Sequence, residues 1–210
     1  MHNQFIIRVG YAIFSLIFPS KIYNKENLPS GKAVIIANHF SVLDPCYMFG
    51  LMKKDVYFLA KKEAIKENLS GKFLRSLGAI PIDRDNNDVR AMMNAMKVVK
   101  GDVKNKLVIF PEGTRNKKDK NIQPLKGGAG LFAVRTKTPI VPIIFYGKAK
   151  AFHKTRIIVG EPFELTEFYD KKIQKEDVEQ IDAILLKKML VAQQKLYELV
   201  DTKKRKKKCK

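Results

Sequence analysis

Residues 5–18 (FIIRVGYAIFSLIF) form an apolar run in which Arg8 is the only charge, and Pro19 ends it. Wound as a helix, the run sets Arg8, Tyr11 and Ser15 on one narrow polar stripe, while Phe5, Ile6, Val9, Ile13, Phe14, Leu16 and Ile17 cover the rest. Such a segment reaches about 21 Å at about 1.5 Å per residue, short of a bilayer core of about 30 Å, so it is not expected to span. It needs apolar surroundings nearly all round, either the protein core or a membrane interface. Its terminal place favours the interface. The flanks, MHNQ and PSKIYNKENLP, lack the charges and small residues of a cleaved leader.

Further on, residues 32–38 (KAVIIAN), 56–60 (VYFLA), 107–110 (LVIF), 140–146 (IVPIIFY) and 156–159 (RIIV) read as buried strands. Between them, residues 88–100 carry Val89, Met92, Met93, Met96 and Val99 at helical spacing, with Asp88 as cap. Residues 177–200 repeat the pattern with Val178, Ile181, Leu185, Leu196 and Leu199. Alternating strands and helices predict one α/β domain with a mixed, largely buried sheet flanked by helices. The expected division is a membrane-associating segment over 1–30, the domain over 31–200 and a basic tail over 201–210.

Charge extends this picture. Forty-one Lys and Arg face 21 Asp and Glu, a net charge of +20, and the tail 203–210 (KKRKKKCK) holds seven basic residues and no acid. The remaining chain keeps 34 basic against 21 acidic residues, so the body is basic without its tail. Such a molecule prefers polyanions: nucleic acid, an anionic membrane or an acidic partner. Charge alone does not choose among them; no nucleic-acid motif accompanies it, and the apolar first segment together with the basic tail points to an anionic membrane surface. Cys46 and Cys209 make neither a disulfide framework nor a zinc site. The expected location is the cytoplasmic face of a membrane, peripheral or monotopic, with no metal.

Two blocks carry chemistry. Asn38-His39-Phe40-Ser41-Val42-Leu43-Asp44-Pro45 follows the first buried strand, where open α/β sheets host ligands. Asp44 held against one ring nitrogen of His39 would leave the other to take a proton from a hydroxyl. The competing reading makes His39 a structural strand-end residue and Asp44 the cap of the next helix. Phe110-Pro111-Glu112-Gly113-Thr114-Arg115 follows another strand. There Gly113 allows close backbone approach, and Thr114 and Arg115 can donate to phosphate oxygens. A solvated turn with a Glu112–Arg115 pair is its bland alternative. Neither a Walker A motif nor a G-x-G-x-x-G is present, so nucleotide binding is not expected. Gly127, Gly128 and Gly130 read as packing glycines, with Lys126 a weak phosphate candidate. His153 reads as a surface residue, and Cys46 and the methionines as apolar filler.

NHFSVLD followed by FPEGTR, in this order and spacing, resembles the glycerolipid acyltransferases, in particular those acting on 1-acyl-sn-glycerol 3-phosphate. Between them, residues 78–84 (GAIPIDR) look like that family's second block, and residues 140–143 (IVPI) like its fourth. The resemblance covers residues 33–160. It implies His39 and Asp44 as the catalytic pair. Arg84, Glu112, Gly113, Thr114, Arg115 and Lys61 are implied at the acceptor phosphate, and Pro142 beside the acyl chain. It implies an O-acyltransferase that moves an acyl group from acyl-coenzyme A or acyl carrier protein to a lysophospholipid, with no cofactor beyond that co-substrate. Acylation of another lysophospholipid or of glycerol 3-phosphate remains the alternative acceptor chemistry. A lipid hydrolase and a non-enzymatic lipid-binding module are the alternatives of other classes. The departure from the family is the short apolar segment in place of a long spanning anchor.

Overall fold

The computed structural model describes residues 4–52, 55–65, 69–83, 89–102, 104–116 and 121–208. Helix α1 (Gln4–Ile17) leads into strand β1 (Ser20–Tyr23), then β2 (Ala33–Ala37), α2 (Asp44–Met52), β3 (Val56–Lys61), α3 (Leu69–Ser76), β4 (Ala79–Ile82) and α4 (Val89–Gly101). There follow β5 (Lys106–Ile109), α5 (Ala129–Thr136), β6 (Ile140–Phe145), β7 (Thr155–Val159) and the long α6 (Lys175–Lys208). The strands form one seven-stranded sheet in the order β1-β7-β6-β2-β5-β3-β4. β6, β2, β5, β3 and β4 run parallel to one another. β7 returns antiparallel to β6, and β1 lies parallel to β7.

Every residue of β2, β5 and β6 is buried, as expected of central strands covered on both faces. Alternation along the strands divides the core in two. Val34, Ile36, Leu107, Ile140 and Ile144 face α4, α5 and α6. Ile35, Ala37, Val108, Val141, Ile143 and Phe145 face α2, with Phe14 and Phe18 of the α1 segment beside them. β2 and β5 are neighbours, yet the helices that follow them leave for opposite faces, α2 for one and α5 for the other. Their carboxyl ends therefore flank a topological switch point, where a crevice opens.

The five expected strands and the mixed, buried sheet are present. The helix expected over 88–100 runs Val89–Gly101, and Asp88, its expected cap, lies outside the described residues. α1 is a helix of 14 residues, and no helix among the described residues is long and apolar enough to cross a membrane. Its packing departs from the expected stripe. Tyr11 turns inward, its ring 6.3 Å from Phe49 of α2, and Phe14 meets Tyr47 edge-on at 5.1 Å. Val9, Ile13 and Leu16 remain 44%, 53% and 77% exposed. The phenol of Tyr11 behaves as an apolar ring because α2 presents Gly50, which leaves room for it. α6 runs past the expected end at residue 200, and the basic tail is helical through Lys208.

Candidate active site

β2 ends at Ala37, and the next two residues build one wall of the crevice. Asn38 is 1% exposed and pins the strand end to β6: its amide donates to the Phe145 carbonyl at 3.0 Å, and its Oδ1 accepts the Phe145 N–H at 2.8 Å. With Asn38 fixed, His39 emerges at the crevice. Its Nδ1 donates to Asp44 Oδ2 at 2.8 Å. The same carboxylate oxygen accepts the N–H groups of Phe40 at 2.7 Å and Ser41 at 2.8 Å. Asp44 is the first residue of α2, so it stands where a cap would stand. Its side chain nevertheless folds back on the preceding turn and onto the imidazole. The His39 side chain is 18% exposed, that of Asp44 1%. The Phe110 ring stacks on His39 at 4.1 Å and 21°, fixing the imidazole plane. Nδ1 is committed to a carboxylate, which can only accept, so Nε2 is the nitrogen left to accept a proton.

The second wall begins where β5 ends. Gly113 has φ +69°, a left-handed turn conformation that favours glycine, and Thr114 and Arg115 follow it on the exposed side of the loop. Glu112 points the other way. It is 1% exposed; Oε1 accepts the His39 N–H at 2.9 Å and Oε2 accepts the Gln123 N–H at 3.1 Å. Burial pushes its carboxyl above the usual range, against the pull of those two backbone donors. Asn116 completes the tie by donating its N–H to the His39 carbonyl at 2.6 Å. The Glu112–Arg115 turn pair weighed from the sequence is replaced by this bracket between loops. A carboxylate spent on buried N–H groups is not aimed at a phosphate. Glu112 is thus a clamp that joins the two motif loops.

Between the walls lies a cavity of about 460 Å³. His39, Val42, Pro45 and Phe110 line one part of it, Phe58, Leu59, Leu74, Leu77 and Ala79 form an apolar wall, and Lys61, Gly113, Thr114 and Arg115 add its polar groups. Imidazole, apolar wall and cations thus share one space. That is the composition wanted by an amphiphile with an anionic headgroup. Arg84 lies outside the described residues. Pro142 is not brought to this cavity. Strand alternation turns its ring to the α6 face, where it packs against Gly160 and lines a separate hollow with Ile158 and Ala192. The apolar wall of the His39 cavity comes instead from β3, β4 and the α3 region.

The sequence alone does not mark the bridging of Asn38 to Phe145, the stacking of Phe110 on His39 or the inward turn of Glu112. For Asn38 a signal existed, a polar side chain at the end of a wholly apolar strand, a position that only a paired amide tolerates. Cys46 is buried as expected, its thiol pushed up to about 11 by burial and by the nearby Asp44 charge. Gly130 packs against Ile181, Leu165 and Leu185, while Gly127 and Gly128 adopt positive φ before α5.

Residues 19–146 match the family model described as Acyltransferase. The chain is 34% identical over 164 residues to the 1-acyl-sn-glycerol-3-phosphate acyltransferase of Bacillus subtilis, covering 74% of this chain and 79% of that one. It is 29% identical over 167 residues to the enzyme of the same description from Streptococcus pneumoniae, covering 76% of this chain and 60% of the other. The crystal structure of the 1-acyl-sn-glycerophosphate acyltransferase from Thermotoga maritima superposes with a TM-score of 0.66 at 22% identity, over 93% of this chain and 77% of that one. At that identity the likeness speaks for the fold.

Proposed function

The chain belongs to the acyltransferase family and is an O-acyltransferase; from that premise we propose that it acylates the free hydroxyl of 1-acyl-sn-glycerol 3-phosphate, forming phosphatidic acid for phospholipid synthesis. The observation that carries this reading is the His39–Asp44 pair, joined at 2.8 Å and opening on a cavity that combines an apolar wall with Lys61, Thr114 and Arg115.

In the proposed reaction His39 Nε2 takes the proton of the acceptor hydroxyl as the hydroxyl oxygen attacks the thioester carbon. Asp44 holds the required tautomer and balances the imidazolium. The carbon–sulfur bond then breaks, and the thiolate leaves with the proton returned by His39. No acyl-enzyme is formed and no metal or prosthetic group takes part. A positioned base of this kind accounts for about 10²–10⁴ in rate. Thr114 and Arg115, with Lys61 and Arg84, hold the acceptor phosphate and so fix the hydroxyl near the thioester, where effective concentration supplies a further large factor. Phe58, Leu59, Leu74, Leu77 and Ala79 line the path of an acyl chain. The donor is acyl-coenzyme A or acyl carrier protein, both anionic thioesters suited to a protein of net charge +20. The working location is the cytoplasmic face of a membrane.

Product analysis tests the reading. Purified protein receives lysophosphatidate, glycerol 3-phosphate or lysophosphatidylglycerol separately, with each donor in turn. Phosphatidic acid from lysophosphatidate at the highest kcat/KM is expected. Preference for either other acceptor reassigns the substrate, and free fatty acid as the main product makes the protein a hydrolase.

A further inference from the structure

The loop between β6 and β7, residues 147–154 (GKAKAFHK), holds three lysines and no acid. Lys148, Lys150 and Lys154 are all exposed, and Phe152, a large ring with no reason of its own to face water, is 77% exposed. Mobility does not explain that exposure. Ala149 is packed against the core. The Phe152 N–H donates to the Ile17 carbonyl at the end of α1 at 2.6 Å, and the Thr155 N–H to the Pro19 carbonyl at 2.9 Å. Within the loop the His153 N–H reaches the Lys150 carbonyl at 3.2 Å. These ties hold Phe152 at φ +59°, a left-handed conformation that a bulky residue seldom adopts. A strained backbone kept in place by its surroundings, with an aromatic ring turned outward, points to a use for the ring.

Its neighbours give the chemistry of that use. The last two turns of α1 carry Ile13 and Leu16, 53% and 77% exposed, and the helix end is one hydrogen bond away from the loop. β6 ends at this side of the sheet with the other parallel strands, so the loop stands at the same end as the His39 cavity, whose rim residue Val42 is 62% exposed. α6 heads for this end too, with Tyr197 edge-on to Tyr146 at 5.1 Å. Apolar rings and chains ringed by lysine complement an interface that is apolar below and anionic above.

We propose that the β6–β7 loop is a membrane-contact element: Phe152 enters the headgroup–acyl boundary of an anionic bilayer while Lys148, Lys150 and Lys154 meet lipid phosphates. This rests on the reading of the protein as an acyltransferase with a bilayer-held acceptor, and it adds a docking element that orients the cavity mouth toward that bilayer. The test uses full-length protein, sedimented with phosphatidylcholine vesicles containing phosphatidylglycerol. Turnover of a short-chain, freely soluble lysophosphatidate is measured alongside. Phe152→Gly should lower vesicle partition about tenfold. It should also raise the denaturation midpoint, because glycine adopts this φ without strain, and leave soluble turnover unchanged. The triple change Lys148→Gln, Lys150→Gln, Lys154→Gln should lower partition about a hundredfold at low salt, a difference that shrinks as salt screens the surface. Unchanged vesicle binding in both proteins overturns the proposal. So does a loss of turnover on the soluble acceptor, which would assign the loop to the cavity. Weakened binding of acyl carrier protein with unchanged vesicle binding would assign it to an acidic protein partner and also overturns it. A wild-type protein that binds vesicles through this loop but transfers no acyl group would leave the docking element standing and remove the functional reading instead.

Discussion

At the scale of single residues, the site depends on two carboxylates with different tasks. Asp44 accepts three hydrogen bonds on one oxygen, one of them from the imidazole. Asp44→Asn keeps an acceptor for the Phe40 and Ser41 N–H groups while removing the charge that balances an imidazolium. His39→Ala removes the proposed base itself. Both should lower kcat by about 10²–10⁴ with the circular dichroism spectrum unchanged, and wild-type turnover in folded His39→Ala protein would falsify the mechanism. Glu112 is different, since its carboxylate is buried and its oxygens bracket two loops. Burial holds its native pKa above the ordinary value, so the native state keeps the Glu112 proton as pH rises past the value of the unfolded chain. The stability it contributes is fully present below the unfolded value and is lost as pH rises through the native one. Glu112→Gln removes the charge and should flatten this part of the pH dependence of the denaturant midpoint, but its amide offers one acceptor oxygen to two N–H donors and so should cost about 1–3 kcal/mol at neutral pH. Glu112→Ala leaves the N–H groups of His39 and Gln123 unpaired, at a cost of about 1–3 kcal/mol for each one that stays buried. Activity should fall with it, because the His39 backbone then keeps only the Asn116 tie to its carbonyl.

At the scale of elements, close packing of α5 on α6 depends on Gly130. A Cβ there would overlap Ile181 Cγ2 and sit 3.4 Å from Leu165 and Leu185. Gly130→Val should destabilise by about 1–3 kcal/mol, read from the denaturation midpoint. Its activity per folded molecule should persist, because α5 does not line the His39 cavity. The elements also differ in how far the chain discloses them. Strands β2, β3, β5, β6 and β7 are legible because strands largely buried within a sheet read as nearly continuous apolar runs. β1 is not, because Ser20 and Lys21 break its apolar character and only pairing with β7 makes it a strand. α2 buries Cys46, Tyr47, Met48, Leu51 and Met52, so no amphipathic period marks it, although Pro45 at its second position is a start signal. α3 is eight residues with a glycine inside, too short for a period. In the site, the His39–Asp44 pair is legible because the partners are five residues apart. The Asn38 bridge spans 107 positions and the Glu112 bracket 73, and no local pattern encodes them. The resemblance alone does not tell which face Pro142 serves, because a motif tells which residues occur, while strand alternation decides where they point.

At the scale of the whole molecule, exposed apolar side chains and lysines stand at the end of the sheet where the His39 cavity opens. α1 is only partly core: Phe14 and Phe18 pack against the cluster beneath α2, while Val9, Ile13 and Leu16 are exposed. Deleting the segment would therefore uncover core, and a loss of vesicle binding after deletion would not distinguish detachment from unfolding. Substitution separates the two. Val9→Ser, Ile13→Ser and Leu16→Ser together change exposed positions only, so the folded state should be retained. Each apolar side chain that partitions into the interface adds about 1 kcal/mol or more of burial, so losing three should lower vesicle partition at least a hundredfold, with little dependence on salt. Truncation after residue 202 acts through charge instead. It removes seven basic residues, and near an anionic surface each is worth about 1 kcal/mol at low salt, a contribution that vanishes as the Debye length falls toward about 3 Å at about 1 M. The two variants should thus show opposite salt signatures in the same sedimentation assay, flat for the α1 substitutions and steep for the tail. Identical salt dependence in both would mean that helix and tail do not meet the bilayer as separate apolar and electrostatic contacts, and this arrangement of the molecule on the membrane would be wrong.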